Sequence, residues 1–67
     1  MRNAVTETRQ SLGWSQQKLA DELGVSRQTV ISIERGKFDP SLPLAFRMAS
    51  VFGRSIEDLF FPDHTSR

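Results

Sequence analysis

The side chains best equipped for chemistry in this 67-residue chain fall between Ser15 and Gly36, in the run SQQKLADELGVSRQTVISIERG. Arg27 carries a planar guanidinium that can donate a paired hydrogen bond to O6 and N7 of guanine, and the Gln28 amide fits N6 and N7 of adenine in the same way. Each such pair is worth roughly 1–3 kcal/mol of discrimination against a wrong base. Thr29, Ile31 and Ser32 share the side of the segment that a core does not claim, and an exposed Ile31 either meets a thymine methyl or simply lies in solvent. Arg27, Gln28, Thr29, Ile31 and Ser32 are therefore the expected base readers. Arg35 and Lys37 suit phosphates, which position a protein on a duplex without choosing its sequence. Ser15, Ser26 and Ser41 open helices, where a hydroxyl and the free N–H groups of a first turn can also meet a phosphate.

Catalysis finds no comparable set. The single histidine, His64, is near the end of the chain, cysteine is absent, and no glycine-rich phosphate loop follows a strand. Asp21 with Glu22 and Glu57 with Asp58 are adjacent on helices, so each pair diverges. The expectation is no enzyme, no cofactor and no metal.

To position those readers, the sequence must fold into short helices at fixed angles. Asn3 is placed to cap a first helix over about 4–12, with Val5, Thr8, Arg9 and Leu12 on one face, and Gly13 ends it. Ser15 caps a second over 16–23, whose apolar positions are Leu19, Ala20 and Leu23. Gly24 then allows a left-handed turn. Ser26 caps the third, over 27–35, which turns Val30 and Ile33 inward. Ala20 at the closest approach, Gly24 at the turn and apolar residues at 19, 23, 25, 30 and 33 make residues 16–35 a helix-turn-helix, the second member of which lies in the DNA major groove. Pro40 biases Asp39 away from helical geometry. A fourth helix follows over 42–52, with Pro43 in its first turn and Leu42, Ala45, Met48, Ala49 and Phe52 inward. Ser55 and Asp58 open a short fifth helix over 56–61. Residues 62–67 are polar and aperiodic, hence a flexible tail. No stretch alternates for long enough to make a strand. Residues 1–67 read as one all-α domain.

The totals set the context. Nine Lys and Arg against eight Asp and Glu leave a net charge of +1 and a pI near 8.4, so any basic surface is local, around Arg27, Arg35 and Lys37. No apolar run reaches the roughly 20 residues that span a bilayer, and no signal-type block opens the chain, so a cytoplasmic protein is expected. A domain this small without a disulfide gains from self-association. Phe46, Phe52, Phe60 and Phe61 are more large rings than such a chain easily hides, which points to Phe60 and Phe61 as the centre of a two-fold contact between copies.

The stretch SQQKLADELGVSRQTVISIERGKFDPSLPLAF resembles the phage repressor and Cro-like branch of helix-turn-helix regulators, also called the xenobiotic response element type. The likeness runs from about Ala4 to Phe60 and is densest in LADELGVSRQTV, IERGKFDPSL and VFGRSIEDLF. It implies a five-helix, lambda-repressor-like fold, operator binding as a homodimer, and regulation of transcription. Residue by residue it implies a phosphate contact from Gln16, base reading at Gln28, Arg27, Thr29 and Ser32 turned toward DNA, and Arg35 and Lys37 near the backbone. It also implies a largely buried salt bridge between Arg9 and Glu34, and a core place for Trp14. Thr8 and Leu12 depart from the leucine and the polar residue frequent at those places. Double-stranded DNA with a near-palindromic sequence is the expected partner, with no small-molecule effector and no membrane. The alternative is an antitoxin-like module that binds a partner protein, with DNA binding secondary.

Overall fold

A serine stands before four of the five helices. The computed structural model describes residues 2–61, in the order β1 (Arg2–Asn3), α1 (Val5–Ser11), α2 (Gln16–Leu23), α3 (Arg27–Glu34), α4 (Leu42–Phe52), α5 (Ile56–Leu59) and β2 (Phe60–Phe61). Ser15, Ser26, Ser41 and Ser55 precede α2 to α5, each with extended backbone and a side-chain oxygen that accepts from the amide three residues on. Each bond satisfies an N–H that the helix leaves without an internal partner. Pro43 sits in the first turn of α4, where its missing N–H removes no helical bond.

Helix α1 begins differently. Its N-cap is Ala4, whose methyl offers no acceptor, and the Ala4 amide donates to the Leu59 carbonyl at 2.8 Å. Asn3, the expected cap, accepts from the Val5 amide at 3.1 Å through Oδ1 and donates from Nδ2 to the Ile33 carbonyl at 2.8 Å. It therefore fastens the start of α1 to the last turn of α3.

The turn between α2 and α3 depends on Gly24, whose φ of 72° and ψ of 31° lie in the left-handed region. Beyond it the Val25 amide donates back to the Ala20 carbonyl at 3.1 Å, and Gly24 itself donates to Asp21. This double closure lets the chain reverse while leaving few helix carbonyls orphaned. Val25 then packs against a core of Val5, Leu19, Ala20, Leu23, Val30, Ile33, Ala45, Met48, Leu59 and Phe60.

Several features differ from the sequence expectation. Arg2 and Asn3 pair antiparallel with Phe61 and Phe60, a two-residue ribbon joining the ends of the described chain, too short to leave an alternating pattern. Helix α5 is a single turn ending at Leu59, because Phe60 is extended and belongs to the ribbon. Helices α1 and α3 stop at Ser11 and Glu34, so Leu12 and Arg35 are their C-caps. Leu12 and Leu42, both expected inside, are 46% and 64% exposed. Trp14 packs half-buried against the core, its ring 6.2 Å from that of Phe52 and 5.6 Å from the Lys18 ammonium. The expected flexible tail and His64 lie outside the described residues. Among the described residues no helix is long and apolar enough to cross a membrane.

Candidate nucleic-acid interface

Helix α3 has two sides with opposite chemistry. Val30 and Ile33 are each 1% exposed, while Arg27 and Gln28 are solvent-exposed and Ile31 and Ser32 are half-buried beside them. Residues four apart share a helix face, so Arg27, Ile31 and Arg35 form one stripe and Gln28 and Ser32 a neighbouring one. Arg27 and Gln28, on the first turn, have the reach and the donors to meet base edges.

Ser26 and Thr29 are less available. The Ser26 hydroxyl accepts from the Thr29 amide at 3.1 Å and lies 3.0 Å from the Thr29 hydroxyl, so the two oxygens close the helix start between them. Ser15 and Ser41 are exposed and likewise engaged as caps. Arg35 and Lys37 are exposed cations at the far end of α3, and the Lys37 amide donates to the Ser32 carbonyl at 3.0 Å.

One carboxylate gathers three elements behind this surface. Glu34 receives Arg9 Nε at 2.7 Å on Oε2 and Gln16 Nε2 at 3.0 Å on Oε1, while Arg9 Nη1 donates to the Trp14 carbonyl at 2.8 Å. The Arg9 and Glu34 side chains are 11% and 7% exposed. Burial alone would push the Glu34 carboxyl up, but hydrogen bonds from Arg9, Gln16 and Thr6 and the charge of Arg9 hold it below its ordinary value. Gln16, the expected phosphate contact, thus has one amide proton on Glu34. An amide carries two, so the second is left for another acceptor.

The expected dimer residues separate. Phe60 is 7% exposed and belongs to the core, because the ribbon turns its ring inward, whereas Phe61 is 37% exposed. The larger bare apolar groups are Leu42 and Phe46, at 64% and 59%, one helical turn apart on α4. Leu42 lines an apolar groove of about 270 Å³ together with Asp39, Pro40, Ala45, Ile56 and Phe60.

Sequence reading passed over Arg47. From α4 its Nη1 donates to the Leu23 carbonyl at 2.8 Å, at the C-terminal end of α2. The signal that was available is the last turn of α2, which holds Asp21 and Glu22 and no basic residue of its own. Among the described residues no cluster of three or more His, Cys, Asp and Glu side chains could hold a metal ion.

Residues 5–59 match the helix-turn-helix family. The chain is 53% identical over 60 residues to an uncharacterized HTH-type transcriptional regulator of Methanocaldococcus jannaschii, covering 90% of this chain and 91% of that one. It is 46% identical over 61 residues to the uncharacterized HTH-type transcriptional regulator YgzD of Bacillus subtilis, covering 91% and 92%. Among solved structures it is similar to a hypothetical transcription factor, NHTF, from Neisseria, with a TM-score of 0.77 and 30% identity, over 88% of this chain and 66% of that chain. The chain belongs to the helix-turn-helix family of transcriptional regulators, in its repressor and Cro-like branch.

Proposed function

We propose that the protein is a sequence-specific regulator that binds double-stranded operator DNA as a homodimer, with α3 in the major groove. The observation that carries this reading is the outward stripe of Arg27, Gln28, Ile31 and Ser32 on a helix whose opposite side is locked into the core. Arg27 and Gln28 read bases, and Ser32 and Ile31 border them. Arg35, Lys37 and the second amide proton of Gln16 meet phosphates, as do the first turns capped by Ser15 and Ser41. Thr29 and Ser26 hold the start of α3 in shape, and their contribution to DNA contact is secondary.

The dimer centre belongs on α4 and α5 rather than on Phe60. Leu42 lines an apolar groove and Phe46 projects one turn further along α4, so a two-fold axis brings the projecting side chains of one copy against the groove of the other. Phe61 lines a separate groove with Arg2, Glu7, Glu34 and Arg35 and is left out of this contact. Two copies of α3 then enter successive major grooves about 34 Å apart on a near-palindromic site. Selection of bound duplexes from a random pool tests the reading. It is expected to return a near-palindrome with half-sites one helical turn apart, and a pool with no enriched sequence would overturn it.

A further inference from the structure

We infer that Arg47 is a specificity-determining positioning residue: from α4 it braces the turn that aims α3, and so fixes how the recognition helix sits relative to the dimer face. The inference rests on the homodimer reading above. Its first support is the unmet requirement at the C-terminal end of α2. The Val25 and Gly24 amides close on the carbonyls of Ala20 and Asp21, and the Leu23 carbonyl is taken by Arg47 Nη1 at 2.8 Å. The end of a helix carries partial negative charge, and here it is joined by Asp21 and Glu22 with no basic residue in the last turn. Lys18 offsets Glu22 at 2.9 Å and Gln17 donates to Asp21, but neither reaches the terminal carbonyl. A guanidinium from another helix supplies both the missing charge and the missing donor.

Its second support is where that guanidinium comes from. A Cβ built on Gly24 would lie 3.9 Å from Arg47 Nη1, so the charged group lies against the left-handed residue at which the chain reverses. Arg47 is flanked by Phe46, which is 59% exposed, and by Met48, which is fully buried. One stretch of α4 therefore anchors in the core through Met48, offers Phe46 to a second copy, and holds the helix-turn-helix turn through Arg47. The other side-chain ties on α3, from Asn3 to Ile33 and from Arg9 and Gln16 to Glu34, hold its far end, whereas Arg47 acts at the turn. Among the described residues Arg47 forms no ion pair with a carboxylate, so this backbone bond is its polar engagement.

The geometry makes a specific demand. A stabilising contact alone would alter melting, whereas a brace between turn and dimer face alters tolerance for the distance between half-sites. The test uses Arg47→Met, which keeps most of the stem and removes the donors, beside Arg47→Lys. Both are titrated against a duplex selected by the parent protein and against the same duplex with one base pair added between half-sites. The parent is expected to prefer its own spacing about tenfold or more, Arg47→Met to lose at least threefold of that preference, and Arg47→Lys to recover part of it. Discrimination against a single changed base within a half-site is expected to stay unchanged. In the absence of DNA, amide exchange at Gly24 and Val25 is expected to quicken in Arg47→Met relative to that at Val30 and Ile33. A spacing preference equal to the parent's, or exchange at the turn no faster than elsewhere, overturns the role given to Arg47. A parent protein with no spacing preference instead overturns the dimer reading, and the exchange measurement still decides whether Arg47 braces the turn.

Discussion

Glu34 is the residue on which the interior polar contacts converge, and its behaviour follows from its partners. Arg9→Met leaves a nearly buried carboxylate without its countercharge and is expected to cost about 3–5 kcal/mol in a denaturant titration. The pH dependence has a definite sign. Because the folded carboxyl lies below its ordinary value, the unfolded chain takes up a proton first as pH falls. The stabilisation from Glu34 is fully present above the unfolded value and disappears as pH drops through the lower folded value. Gln16→Leu removes one of the bonds that lower it and is expected to shift the acid loss of melting temperature to higher pH. On DNA, Arg27→Ala is expected to relax preference at one base position at a cost of roughly 1–3 kcal/mol on the preferred sequence, whereas Lys37→Ala weakens all duplexes alike. Equal losses on all sequences for both variants would remove Arg27 from the readers. The Arg9–Glu34 contact was legible through the resemblance, and the sidedness of α3 from its period alone. The Gln16 bond to Glu34 and the Ser26–Thr29 hydroxyl pair were not, because they depend on side-chain rotamers that position in the chain does not specify.

At the level of elements, caps and turns explain why the helices were readable. Serine before each of α2 to α5, glycine after α2 and α4, and proline in the first turn of α4 are local signals that tertiary packing did not have to override. Gly24→Ala is expected to cost about 1–2 kcal/mol by chemical denaturation, from the left-handed backbone rather than from crowding, since the added Cβ meets only ordinary contact with Arg47. A loss near zero would mean that the turn changes shape without penalty. The ribbon of β1 and β2 escaped notice for a physical reason. Two residues per strand carry no periodicity, and the pairing of Arg2 with Phe61 joins positions nearly a chain length apart. The same long-range contact cut α5 to one turn and carried Phe60 inward, which composition could not foresee.

For the whole molecule, the proposed homodimer turns on the surface that pairs two reading units. Composition correctly raised the issue of surplus aromatic surface, but only the packed structure separates Phe60 in the core from Leu42 and Phe46 on α4. In sedimentation the parent is expected to be a dimer and Phe46→Glu a monomer at the same concentration, with a large fall in affinity for the palindrome and little for a single half-site. The most direct test of DNA recognition itself is a titration of the parent protein on its selected duplex across a range of salt. Phosphate contacts release counterions, so the logarithm of the binding constant is expected to fall linearly with the logarithm of salt concentration, while preference over a scrambled duplex persists. Binding that is absent, indifferent to salt, or equal on selected and scrambled duplexes would contradict it.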